Sequence, residues 1–118
     1  MKEIETKEDV KKLVDVFYGK VLKDVMLSPF FKHLDLEIHL PKMVQFWSFV
    51  LLDESGYTTN VVEKHMRMPL EKHHFDQWLK LFNETIDELF VGEKVELAKQ
   101  RAFTIAWTTE HKLNSNFT

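Results

Sequence analysis

Apolar side chains recur every three or four residues along almost the whole chain, and nowhere does alternation at period two persist long enough to make a strand. That pattern restricts the chain to helices. The first stripe is Val10, Leu13, Val14, Phe17, Val21 and Leu22. Thr6 is placed to cap it, and Glu8 and Asp9 suit the positive end of its dipole. Ser28-Pro29 is expected to stop this helix, because Pro29 lacks an amide donor and biases Ser28 away from helical geometry; Phe30 and Phe31 then fall in a connection. A second helix carries Leu40, Met43, Val44, Trp47, Val50 and Leu51. A polar loop from Asp53 to Asn60 and a short apolar turn from Val61 to Met66 precede Pro69. A third helix presents Phe75, Trp78, Leu79, Phe82, Ile86 and Leu89, with Gly92 as its C-cap. A fourth carries Val95, Ala98, Ala102, Ile105, Ala106, Thr109 and Leu113, and the polar tail after Leu113 is expected to fray. The expected fold is all-α, with four substantial helices.

A length of 118 residues suits one domain spanning 1–118, large enough to bury a core without staples. There are no cysteines, which removes disulfides, thiolate nucleophiles and every cysteine-held metal or iron–sulfur centre. A formal charge of −3 lacks the basic excess of a nucleic-acid binder. The charged N-terminus is unlike a signal peptide, and the longest apolar run, Phe46 to Leu52, is interrupted by Ser48 and far short of the ~18 residues of a membrane span. A cytoplasmic protein without membrane association is expected. The 10 Phe and 3 Trp are the excess that needs explaining, because large rings fit poorly into narrow helical seams. Helices that enclose something flat would account for them.

Most chemical constellations fail on their spacing. A di-metal carboxylate bundle needs two Glu-x-x-His motifs and two more glutamates, and Glu71-Lys-His-His74 supplies one element of four. His73 and His74 are adjacent, so on a helix they point about 100° apart and are not set to share an ion. One surface and one partly buried histidine near a helix start is the expectation. Ser48 lies mid-helix among apolar residues and is expected to bond back to its own backbone. There is no nucleophile elbow and no phosphate loop. Lys11, Lys12, Lys20 and Lys23 form a solvated face. His65 remains, in the short turn before Pro69. On its own, a lone histidine there is more often a core or surface residue than a ligand. Haem asks only for one neutral imidazole on iron and an aromatic slot, which composition and spacing allow.

Read in order, four blocks resemble the truncated haemoglobins, the third group above all. Phe17-Tyr18 with the following turn to Pro29-Phe30-Phe31 is similar to that family's second-helix block. His39-Leu-Pro-Lys42-Met43-Val-Gln-Phe46-Trp47 resembles its distal helix, and Lys64-His65 its proximal lysine–histidine pair. Phe75-Asp-Gln-Trp78-Leu79-Lys-Leu-Phe82 resembles the helix closing the distal wall. The blocks run from about residue 10 to 106 in family order. The Gly-Gly pairs usual in the first two groups are missing, which favours the third.

The resemblance implies a globin-like two-over-two helical sandwich around haem b, with His65 on the iron. It implies Tyr18, His39, Met43 and Trp78 at the bound ligand, and Phe31, Phe46, Trp47, Leu51, Phe75 and Ile105 around the porphyrin. Lys42, Lys64 and Arg67 are the candidates for the propionates. Pro41, two residues after His39, sets His39 in the first turn of its helix or just outside. The implied function is reversible binding of dioxygen or another diatomic gas such as nitric oxide. The alternatives are a haem enzyme on the same scaffold, a nitric-oxide dioxygenase or peroxidase-like protein served by an external reductase, and a haem-free sensor or interaction module. A monomer or weak dimer is expected.

Overall fold

The computed structural model describes residues 1–32, 35–53 and 70–116, with side chains as far as His111. Five helices lie among the described residues: α1 (Lys7–Lys23), α2 (Ser28–Phe31), α3 (Leu36–Leu52), α4 (Lys72–Leu89) and α5 (Glu93–Asn116). The four long helices coincide with the four apolar stripes. No strand occurs among the described residues; an isolated bridge between Lys2 and Phe90 ties the N-terminal segment to the α4–α5 junction, where Val91 N–H donates to Lys2 C=O at 3.0 Å.

Local chemistry sets the helix ends. Thr6 caps α1 by accepting from Asp9 N–H at 3.2 Å, and the Asp9 carboxylate accepts in return from Thr6 N–H at 3.1 Å. At the other end Asp24 turns extended, and its carboxylate accepts from Met26 and Leu27 N–H at 2.9 and 3.0 Å. Asp24, not Ser28-Pro29, therefore stops α1. Pro29 instead lies in the first turn of α2, where its missing donor costs nothing, and Phe31 is on that helix rather than in a connection.

Asp35 caps α3 by accepting from Glu37 N–H at 3.1 Å, so the helix begins before Pro41 and carries it inside. His39 consequently ends the first turn. Ser48 is buried on α3 and its hydroxyl has no partner; the expected bond back to the helix is not made. α4 is capped by Phe90 in extended geometry, so Gly92 is not its C-cap. Gly92 has φ +118 and precedes the first residue of α5, with the Glu3 carboxylate where a Cβ would stand. α5 continues past Leu113 to Asn116.

Helix α1 packs on α3 and α4, α4 on α5, and α3 on α5, which gives two crossed helix pairs. The main core joins all four long helices through Leu13, Val21, Met43, Trp47, Phe82 and Ala102. Its rings satisfy one another. Phe17 makes edge-to-face contacts with Tyr18, Trp78 and Phe82 at 5.3–5.6 Å, and Phe82 stacks with both Trp47 and Trp78. Part of the aromatic excess is thus structural, independent of anything enclosed.

Candidate functional site

Tyr18 points inward from α1, 4% exposed, because position 18 falls on the same helical face as Val14 and Val21. Its phenol oxygen lies 2.9 Å from Nε2 of His39, which α3 brings across from its first turn, and the two rings meet edge to face at 5.1 Å. Phe31 also meets the Tyr18 ring edge to face, at 6.2 Å. Phe17, the neighbour of Tyr18, is in edge-to-face contact with Trp78 on α4 at 5.6 Å. Tyr18, His39 and Phe31 therefore form one group, with Trp78 linked to it through Phe17.

Trp78 is partly exposed as a residue, yet its indole Nε1 is buried and has no hydrogen-bond partner. It lines a narrow pocket of about 20 Å³, room for little more than one water molecule and partly open to solvent, with Phe31, Phe75 and Ile105 among its walls. Leu27, Leu70, His74, Ala106 and Thr109 complete the described lining. The hydroxyl of Thr109 is likewise buried and unpaired. Two residues of this apolar lining, Trp78 and Thr109, thus each carry a buried polar atom without a partner, and buried polar groups are seldom left so.

The remaining expected residues divide. Met43, Trp47 and Leu51 are buried on α3 and belong to the main core, where Trp47 stacks on Phe82 at 4.9 Å. Phe46 packs partly buried against Trp47 at 5.1 Å, and Lys42 is half-buried on the same helix. Lys64, His65 and Arg67 lie outside the described residues.

Sequence reasoning missed Leu27, His74 and Thr109. The signal available for Thr109 was its inward position in the α5 stripe. His74 shows why Glu-x-x-His occurs here. Its Nδ1 accepts from Glu71 N–H at 2.8 Å, so it caps the start of α4. This fold-back brings the His73 and His74 rings to 4.0 Å, correcting the expectation that they point apart. Ligand atoms of Glu71, His73 and His74 come within 4.8 Å of one another. The capping bond nevertheless occupies Nδ1 of His74 and, in the neutral ring, puts the proton on Nε2, so no lone pair is left for an ion. Burial, and then the adjacent His73, hold His74 below the usual histidine range and so favour that neutral ring.

The family model for bacterial-like globins matches residues 2–112. The chain belongs to the bacterial-like globin family. This globin is 34% identical over 106 residues to the group 3 truncated hemoglobin ctb of Campylobacter jejuni, covering 84% of each chain. It is 32% identical over 87 residues to a group 1 truncated hemoglobin of Tetrahymena pyriformis, covering 73% of this chain and 72% of that one. The crystal structure of a group III truncated hemoglobin from Campylobacter jejuni superposes with a TM-score of 0.85 at 34% identity, covering 96% of this chain and 95% of the other. The globin is thus a truncated haemoglobin in sequence and fold, and membership implies a haem cofactor and the binding of diatomic gases. Among the described residues no helix is long and apolar enough to cross a membrane.

Proposed function

We propose that residues 1–118 form a single haem-binding domain that reversibly binds dioxygen or another diatomic gas, with His65 as the proximal ligand of haem b. The observation that carries this reading is the buried, unpartnered Nε1–H of Trp78, a residue whose ring lines an apolar pocket. An orphan donor in such surroundings costs about 1–3 kcal/mol unless an acceptor arrives, and a bound diatomic ligand with negative charge on its outer atom is such an acceptor. Phe31, Phe75 and Ile105 give the pocket the apolar, aromatic walls that the faces of a porphyrin pack against, so the chemistry of the residues present suits the cofactor. Haem, when bound, supplies the iron at which the gas is held.

The chain's own residues then do the rest. With haem bound, Tyr18 and Trp78 would be the donors to the ligand, each hydrogen bond contributing about 1 kcal/mol net and more when the acceptor carries charge. His39 orients the Tyr18 phenol through the 2.9 Å contact. If His39 Nε2 carries the proton, it donates to the phenol oxygen and the phenol O–H turns to the ligand; the other tautomer draws that O–H to itself. Phe46, Trp47, Leu51 and Met43 hold α3 as the distal wall, and Lys42, Lys64 and Arg67 are the propionate partners in this reading.

Multiple turnover as a dioxygenase or peroxidase would need an external reductase; gas binding does not. The same reading places the protein in the cytoplasm, away from nucleic acid and membranes.

The test is an absorption spectrum during haem titration of the purified chain. A strong Soret band saturating at one haem per chain is expected, and His65→Ala should abolish or greatly weaken histidine ligation. No band on titration would overturn the reading. Unaltered histidine-ligated spectra in His65→Ala would move the ligand elsewhere. Nitric-oxide consumption with and without reductant separates carrier from enzyme.

A further inference from the structure

Helix α5 carries an uncharged run of eight residues, Ala102 to Thr109, between Arg101 and Glu110. Ala102, Ala106 and Thr109 face the core, but Phe103 and Trp107 face outward and are 58% and 52% exposed. The exposed positions of α1 and α4 are dominated instead by lysine, aspartate and glutamate, such as Lys11, Asp15, Lys72 and Asp76, several of them paired along their own helix. Two solvent-facing turns with rings and no charge are unusual for a surface helix.

The flanks say what lies against this face. At 100° per residue, Glu93, Glu96, Gln100, Phe103, Thr104, Trp107 and His111 fall on one stripe, and all are exposed. The stripe is acidic in its first turn, aromatic in the middle and ends in an imidazole whose ring stacks on Trp107 at 3.8 Å. Laid antiparallel on a copy of itself, it sets Glu93 and Glu96 beside the second copy's His111 and Gln100 beside the second copy's Thr104. The two Phe103 rings then meet near the two-fold axis, each flanked by a Trp107. This pairing also opposes the two helix dipoles favourably. A parallel arrangement would put acidic turn on acidic turn.

We propose that α5 is an isologous dimer interface, with a second copy of this chain seated antiparallel on the Phe103–Trp107 face. A single helix face presents less than the ~800 Å² per partner of a standard interface, so the dimer is a weak one formed at micromolar or higher concentration. The inference is independent of the haem reading.

Sedimentation equilibrium of the purified full chain, with and without added haem, over about 1–500 µM tests it. A monomer–dimer equilibrium is expected, with Trp107→Glu or Phe103→Glu weakening association at least ten-fold while far-UV circular dichroism is unchanged. Glu96→Lys should weaken it as well, and adding His111→Glu to that variant should restore most of the loss. A chain that is monomeric throughout would overturn the proposal. So would a dimer that Trp107→Glu, Phe103→Glu and Glu96→Lys all leave intact. Should an aromatic variant misfold, the Glu96→Lys and His111→Glu pair alone decides the outcome.

Discussion

Nε2 of His39 and the hydroxyl of Tyr18 lie 2.9 Å apart, joining the first turn of α3 to the buried face of α1. The pair couples the two residues, so they should not behave independently. Tyr18→Phe removes the phenol donor and is expected to speed dioxygen dissociation about ten-fold or more, the scale of one charge-assisted hydrogen bond. His39→Leu should have a smaller effect in the same direction, because the phenol loses the contact that orients it. Combining the two should add little to Tyr18→Phe alone. Stopped-flow displacement of dioxygen measures all three, and an off-rate unchanged in Tyr18→Phe would put the hydroxyl out of the ligand's reach.

Trp78 offers a contrast between free and liganded protein. Its Nε1 is buried without a partner, so Trp78→Phe removes an unsatisfied donor while keeping a ring against Phe17 and Phe82. Without haem, the loss of ring area and the gain from deleting an orphan donor offset each other, and the melting midpoint should move little. With haem and dioxygen, dissociation should quicken several-fold. A large loss of apo-protein stability together with an unchanged off-rate would make Trp78 a packing residue only.

How far the sequence revealed this arrangement depended on the range of the interaction. The four long helices were legible because each has a periodic stripe, such as Phe75, Phe82 and Ile86 on α4. Their ends are not legible in the sequence where a side chain rather than a breaker decides. Asp24 ends α1 through its own carboxylate, and Pro29, which looks like a stop, opens α2. Tyr18, His39 and Trp78 are far apart in sequence, and family resemblance rather than spacing groups them. The Tyr18–His39 contact depends on how α3 crosses α1, which no local pattern encodes. The ring-on-ring packing of Phe17, Phe82 and Trp47 was hidden for the same reason, and the aromatic excess pointed more to a cofactor than the core alone warrants.

Acid should loosen the N-terminal anchor first. The Asp9 carboxylate accepts from Lys2 Nζ at 2.8 Å and from Glu5 and Thr6 N–H at 3.0 and 3.1 Å. The Lys2 contact, followed by the Glu5 amide, lowers its pKa from 3.8 to about 2. Because the folded value lies below the unfolded one, the contribution is complete above about pH 4 and is lost as pH falls toward 2. Lys2 is half-exposed, so the two amide donors supply most of it. Asp9→Ala should cost about 2 kcal/mol at neutral pH and flatten the acid limb of the stability curve over that window. Urea unfolding of both proteins from pH 2 to 7 measures it; curves that stay parallel throughout would remove Asp9 from the titration.

The two described glycines with settled surroundings should respond to alanine in opposite directions. Gly92 has φ +118, and the Glu3 carboxylate that would meet a Cβ there also accepts from Ile4 N–H at 3.0 Å and Lys94 N–H at 3.3 Å. Gly92→Ala imposes a strained backbone and displaces Glu3 from the start of α5, so a loss of about 1–3 kcal/mol is expected. Gly19 lies inside α1, exposed, with no atom within 4 Å of an added Cβ. Gly19→Ala should therefore stabilise by about 0.5–1 kcal/mol, since alanine loses less backbone entropy on entering a helix. Thermal melts of the two variants decide the matter. A Gly92→Ala protein as stable as the parent would mean that the α4–α5 junction can be rebuilt without Glu3, and with it the tie between the N-terminal segment and the helices that carry Trp78 and Thr109.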